Sequence, residues 1–299
     1  MQVLVTGGSG FIGRTLCRRL MEGGHQVSVL SRSPEAAARL PQGARAIIGD
    51  PSRSGDWQAQ AAAHQGFVNL AGASIFGRWN PDYKALLRSS RILTTRHLVE
   101  AVAKAPGPKV LVSASAVGYY GFHQDEELDE SSPPGGDFLA QLCVDWEAEA
   151  LLAARRGARV VITRFGIVLG QGGGALSQML PLFRFGLGGI LGSGRQWFSW
   201  IHQADLAAAI VFCLERELAG AVNCTAPAPV TNRQLTKALA KAVHRPAFLP
   251  APALAVKLLL GELGTVLLEG QRVLPRRIMQ AGFQFRFPTI QAALEDLLD

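Results

Sequence analysis

The chain has 299 residues, of which 48% are apolar and 18% charged, and its formal net charge is +7. That balance suits one or two packed globular domains and excludes a disordered chain. No run of about 18 uncharged apolar residues is present, so no membrane span is expected. The basic residues are dispersed, with only short pairs such as Arg18-Arg19 and Arg276-Arg277, which argues against a nucleic-acid partner.

The elements follow in chain order. Apolar residues over 3–5 predict a buried parallel strand, and helical spacing resumes over 11–21. Between them lie Gly7, Gly8 and Gly10, with Gly13 inside the helix. Glycines at this spacing, between a strand and a helix, keep a turn tight and let a diphosphate approach the backbone. The helix start aims free N–H groups and a positive dipole end at that anion. Gly7, Gly10, Phe11, Ile12 and Gly13 are therefore candidate cofactor-binding residues. The alternative is a glycine-rich turn that holds nothing.

A second strand is predicted over 26–30. Dinucleotide folds that take NAD place an acidic residue at its end to hold the ribose hydroxyls. Here the chain reads Ser31-Arg32. A hydroxyl and a guanidinium suit a 2′-phosphate, which a carboxylate would repel, so NADP(H) is the expected cofactor. A solvated loop arginine is the alternative. Asp50, after a third strand over 46–48, either accepts from an adenine amino group or forms a turn. A fourth strand over 67–70 closes in Leu70-Ala71-Gly72, small enough for the cofactor's middle to lie against the backbone. In the following long helix, over 82–104, Arg91 is a candidate for the same groove, with surface packing as the alternative.

The fifth strand, over 109–113, runs into Ser113-Ala114-Ser115-Ala116-Val117-Gly118-Tyr119-Tyr120-Gly121. Open α/β sheets bind ligands at the carboxyl ends of their strands. Ser115 and one of Tyr119 and Tyr120 are thus candidates for polarising a substrate carbonyl or hydroxyl. A turn with aromatic packing is the bland alternative.

These stretches resemble the extended short-chain dehydrogenase/reductase superfamily, as do Asn69-Leu70-Ala71-Gly72, Arg164 to Gly170 and Trp200 to Leu206. The likeness narrows to an atypical epimerase-family group that includes bacterial YfcH-like proteins. It rests on Arg78-Trp79, Gly135-Gly136-Asp137-Phe138, Asp145-Trp146-Glu147, Gly172 to Ala175, Leu268-Glu269-Gly270-Gln271 and Pro275-Arg276-Arg277. The resemblance implies an α/β fold: a Rossmann-type doubly wound parallel sheet with a small C-terminal substrate-side lobe. It also implies NADP(H) and hydride chemistry on a sugar nucleotide or related carbonyl compound.

One departure bears on the chemistry. The superfamily acts through Tyr-x-x-x-Lys on one helix face, where the lysine lowers the tyrosine pKa. The only tyrosines are Tyr83, Tyr119 and Tyr120, and none has lysine four residues on. Counting back from Glu147, the motif positions hold Leu139 and Cys143. Tyr119 or Tyr120 then supplies the proton beside Ser115, or the reaction needs no strong protein acid, or the protein binds cofactor without turnover.

A sixth strand is expected over 159–163. Helices are expected over 177–185, 206–214 and 231–243, with Thr231 or Asn232 capping the last and Asp205 capping the one before. Arg195, Trp197, Phe198 and Trp200 read as a substrate-side loop and short strand whose aromatic faces could stack on a nucleotide or sugar, with core packing of the aromatics as the equal alternative. A late strand over 222–226 precedes a Pro-Ala-Leu connector, a helix over 254–260 and a final helix over 290–298. Residues 1–240 are read as the NAD(P)-binding domain, with substrate-side segments within 165–230, and 246–299 as the C-terminal lobe. The four cysteines, Cys17, Cys143, Cys213 and Cys224, form no metal-ligand pair and no disulfide framework. With strand residues starting at position 3 in place of a signal peptide, a cytoplasmic, reducing setting and no bound metal are expected.

Overall fold

The computed structural model describes residues 1–298. Seven strands form one sheet: β1 (Gln2–Thr6), β2 (Gln26–Ser31), β3 (Arg45–Ile48), β4 (Gly66–Asn69), β5 (Lys109–Ala116), β6 (Ala158–Phe165) and β7 (Gly220–Cys224). Their spatial order is β7-β6-β5-β4-β1-β2-β3, and every neighbouring pair is parallel. The winding reverses between β1 and β4, where Val3 pairs with Gly66 on one side and Val27 on the other. At such a switch point the connections leave in opposite directions and open a crevice at the strand carboxyl ends.

Nine helices complete the described architecture: α1 (Phe11–Glu22), α2 (Pro81–Lys104), α3 (Phe138–Leu151), α4 (Gly174–Arg184), α5 (Gln203–Glu215), α6 (Asn232–Ala242), α7 (Ala253–Leu260), α8 (Glu262–Leu268) and α9 (Ile290–Leu298), with short turns of helix between them. The strands read as apolar runs because both sheet faces are covered. On one face Val3, Val5 and Val29 pack against Leu16 and Leu20 of α1 and Ile210 and Leu214 of α5. On the other, Leu4, Phe67 and Leu111 meet Leu98 and Val102 of α2 and Ala150 of α3.

Capping chemistry sets the helix starts. Asn80 accepts from the Tyr83 amide ahead of Pro81, and Asp137 accepts from the amides of Leu139 and Ala140 at 2.8 and 3.1 Å. Thr231 and Gln234 form a reciprocal capping box on α6, as the sequence signalled. The cap of α5 differs from expectation. His202 caps it, its Nδ1 accepting from the Ala204 amide at 3.1 Å. Asp205 instead accepts from the backbone N–H groups of Arg286 and Phe287, both at 2.9 Å, and so anchors the C-terminal segment. His202 stacks on Phe287 with ring centroids 3.9 Å apart, and burial pushes its pKa down.

Two other boundaries move. β5 continues three residues past the expected end, so Ser115 lies inside the strand. The sequence predicts a helix over 138–155, but it stops as α3 at Leu151; a separate short turn follows, ending at Gly157 with φ +77°.

Above the strand ends a second layer forms from distant pieces. Ile167–Gly170 pairs with Trp200–His202, and Glu127–Leu128 with Arg272–Val273. Leu169, Leu176, Trp200, Leu235 and Leu294 share one buried cluster, so α9 packs on α6 rather than standing apart. Among the described residues no helix is long and apolar enough to cross a membrane.

Candidate active site

The turn after β1 is built by steric exclusion. Gly7 has φ +71°, and a Cβ there would lie 2.9 Å from the Leu70 carbonyl carbon. A Cβ on Gly13 would lie 2.2 Å from the Gly7 oxygen, so only glycine lets α1 approach β1 this closely. The Gly10 amide donates to the Gly7 oxygen at 3.0 Å and closes the loop. No side chain caps α1, which leaves its first N–H groups, those of Phe11 and Ile12 included, for an anion. The Phe11 ring fills space that a Cβ on Gly170, Gly173 or Gly174 would occupy, and the Phe11 carbonyl accepts from Gln203 Nε2 at 2.8 Å. The glycine run 170–174 is thus seated on the β1–α1 turn.

At the end of β2, Ser31 is buried and its hydroxyl donates to the Ser33 carbonyl at 3.2 Å. Ser33 in turn caps the short helix Pro34–Ala37. Arg32 is exposed at this corner. Asp50 closes a local turn, its Oδ1 accepting from the Ser52 amide at 2.9 Å and the Ser52 hydroxyl at 2.7 Å.

A buried polar chain that sequence reading missed pins the middle of the crevice. Thr6 Oγ1 donates to Asn69 Oδ1 at 2.7 Å and accepts from the Leu70 and Ala71 amides, each at 3.2 Å. Asn69 Nδ2 donates to Thr95 and Ser113, and Trp146 Nε1 donates to Thr95 at 2.9 Å. Gly72 continues that backbone, and a Cβ on it would meet the Arg91 side chain at 3.3 Å.

Ser115 and the two tyrosines come together around an ion pair that spacing alone did not predict. Arg164, at the end of β6, bonds Glu147 of α3 through Nε to Oε1 at 2.9 Å and through Nη2 to Oε2 at 2.8 Å. Both side chains are about nine-tenths buried or more. Burial disfavours the Arg164 charge, but the Glu147 bonds outweigh it and raise the guanidinium pKa. Ser115 donates to Glu147 Oε1 at 2.6 Å. Tyr120 is fully buried: Arg164 Nη1 donates to its hydroxyl at 3.0 Å, and that hydroxyl donates to Asn223 Oδ1 at 2.7 Å. Burial pushes the Tyr120 phenol up to about 12. Tyr119 differs. It is half-buried, Arg164 stacks 3.4 Å from its ring centroid, and among the described residues nothing hydrogen-bonds its hydroxyl.

The positions that Tyr-x-x-x-Lys would occupy do face this site. Leu139 packs 3.4 Å from the Cβ position of Gly118, and the Cys143 thiol donates to the Ala116 carbonyl at 3.8 Å. Burial pushes that thiol up to about 11, which suits packing rather than nucleophilic attack. Among the described residues no cluster of His, Cys, Asp and Glu can hold a metal ion.

The glycine cradle, the uncapped α1 start and the exposed cation at the end of β2 fit a phosphorylated dinucleotide. Comparison with known proteins agrees. Residues 3–224 match the model of the NAD dependent epimerase/dehydratase family, and residues 251–297 match DUF1731, a domain of unknown function. The chain is 42% identical over 305 residues to an Arabidopsis thaliana protein named epimerase family protein SDR39U1 homolog, chloroplastic, covering 100% of this chain and 87% of that protein. It resembles the crystal structure of human epimerase family protein SDR39U1 (isoform 2) with NADPH at 38% identity and a TM-score of 0.88, covering 100% of this chain and 99% of that one. A structure of a nucleoside-diphosphate sugar epimerase from Corynebacterium glutamicum aligns at 33% identity and a TM-score of 0.79, covering 100% of this chain and 58% of that one. A β1–α1 turn that only glycines can form, a switch-point crevice and a DUF1731 segment folded over the strand ends thus place the chain in the NAD dependent epimerase/dehydratase family.

Proposed function

We propose that the protein binds NADP(H) and carries hydride between the cofactor and a carbonyl or hydroxyl carbon of a small molecule, a sugar nucleotide or a related compound. One observation carries the reading: the uncapped α1 start and its glycine turn share a crevice edge with Arg32, where a carboxylate would select NAD. The NADPH bound by the human relative and the name of the Corynebacterium epimerase support the cofactor and the substrate class. When bound, the nicotinamide supplies or takes up the hydride.

The residues of the chain divide the remaining work. Ser115 gives its proton to Glu147, which turns an oxygen lone pair toward the open end of β5 and orients a substrate hydroxyl there. Tyr119, whose hydroxyl is unpartnered among the described residues, moves the proton: it donates to the carbonyl oxygen on reduction and is reprotonated from solvent. Tyr120 is a positioning residue, since its hydroxyl is committed to Asn223 and Arg164. Four buried free thiols fit a reducing setting such as the cytoplasm.

Leu139 and Cys143 at the motif positions favour a second reading, a non-catalytic NADP(H) sensor. NADPH oxidation across a panel of sugar nucleotides and aldehydes separates the two. Turnover is expected, with Tyr119→Phe lowering kcat about 100-fold and leaving NADPH affinity unchanged. Tight cofactor binding with no turnover on any compound would establish the sensor.

A further inference from the structure

Half of the large apolar side chains that the described residues leave exposed fall in two segments, 182–187 and 248–260. Single exposed leucines are ordinary on a protein surface, but a contiguous group of them is not. Backbone bonds join the two segments. The Ala251 amide donates to the Ile190 carbonyl at 2.9 Å, and the Gly192 amide donates to the Ala251 carbonyl at 2.9 Å. The exit of α4 thus runs beside the entry of α7. Phe185 is 79% exposed, and Leu258 and Leu259 are 77% and 83% exposed. In α7 only Val256 is buried, and the helix turns all of its leucines to solvent.

Cations border this group, and its segments carry no carboxylate. Between Glu149 and Asp205, and again between Glu217 and Glu262, the chain has no acidic residue. Arg233, Lys237 and Lys241 stand four residues apart on α6 and form one exposed stripe. Arg233 reaches the neighbouring segment, donating to the Ser193 carbonyl at 3.1 Å. Arg245 carries the stripe from α6 toward Phe248, Lys257 sits among the α7 leucines, and Arg184 lies between Leu182 and Phe185; all three cations are exposed. Glu262, which follows α7, is already bonded by Lys84 at 2.6 Å. A second copy docked here face to face would set these cations against one another, whereas a layer of anionic headgroups would neutralise them. We propose that this face docks on an anionic lipid bilayer, with Phe185, Leu258 and Leu259 entering the interface and the α6 stripe, Arg245 and Lys257 meeting headgroup phosphates. At eight residues α7 is too short to cross a membrane, so the protein lies on the surface.

The test is co-sedimentation of the full chain with vesicles of phosphatidylcholine alone and with vesicles in which about one-third of the lipid is phosphatidylglycerol. The wild type should bind the anionic vesicles at least about tenfold more tightly, and added salt should weaken that binding. Leu258→Gln combined with Leu259→Gln should lower it at least about tenfold. Lys237→Gln, Lys241→Gln and Arg245→Gln together should lower it as much and flatten the salt dependence. Both variants alter exposed side chains, so thermal unfolding and NADPH affinity should match the wild type. They act on different segments, so a loss of fold in one leaves the other decisive. Equal binding to both kinds of vesicle, or binding to neither, would overturn the proposal. Wild-type binding retained in either folded variant would place the contact elsewhere and overturn it too. So would a wild-type dimer in sedimentation equilibrium that the leucine variant dissociates, because the face would then be a contact between copies.

Discussion

Gly13→Ala should abolish measurable dinucleotide binding while costing the fold about 3 kcal/mol. The added methyl would lie 2.2 Å from the Gly7 oxygen, 2.6 Å from the Gly8 Cα and 2.8 Å from the Gly8 carbonyl carbon. All three neighbours are backbone, so no rotamer change relieves the contact. Helix α1 must move off β1, and its first N–H groups move with it. Losing two such charge-assisted bonds to a diphosphate weakens binding about 100-fold or more. Gly136→Ala is the matched control: a Cβ there meets nothing within 4 Å, and both stability and binding should hold. Thermal unfolding and an NADPH titration on both variants check this. Retained NADPH affinity in Gly13→Ala would mean that the turn does not hold the phosphates.

The second large effect is expected at Glu147. Glu147→Ala leaves the Arg164 guanidinium buried with its main partner gone, and also removes the acceptor of the Ser115 hydroxyl. Breaking a buried pair from one side costs about 3–5 kcal/mol, because the surviving charge stays desolvated. In a chain of this size that lowers Tm by roughly 6–10 °C. Adding Arg164→Met to Glu147→Ala should recover part of the loss, since the stranded charge is then gone. The recovery is partial because Tyr120 also loses its Arg164 donor. Differential scanning calorimetry on the single and double variants checks the sign: a double variant no more stable than Glu147→Ala would show that the stranded charge is not the source of the cost.

The two ends of this site differed in how far they could be read in advance. The cradle was legible because backbone geometry imposes it. Gly7, Gly10 and Gly13 carry their reason in their lack of a Cβ, and strand–turn–helix context can be recognised locally. The Asn80, Asp137 and Thr231 caps are likewise local, each acting within three residues of itself. The reacting end was only half legible. Ser115 and the two tyrosines were identifiable from their place after a strand, but nothing nearby distinguishes Tyr119 from Tyr120. Asn223, which comes from β7, and Arg164, which comes from β6, make that distinction. The Glu147–Arg164 pair spans α3 and β6, and Thr6, Asn69, Thr95 and Trp146 meet from four separate elements. Asp205 shows the same limit. Its position suggested a helix cap, yet its partners lie more than eighty residues away, at Arg286 and Phe287.

Side-by-side titration of NADPH and NADH into the wild type and Arg32→Asp bears on the whole phosphate cradle at once. The wild type should bind NADPH at least about tenfold more tightly than NADH, and the new carboxylate should reverse that order by repelling the 2′-phosphate and accepting from the ribose hydroxyls. If the wild type does not discriminate, or the ratio in Arg32→Asp matches that of the wild type, the end of β2 does not hold the 2′-phosphate and the cofactor assignment fails there.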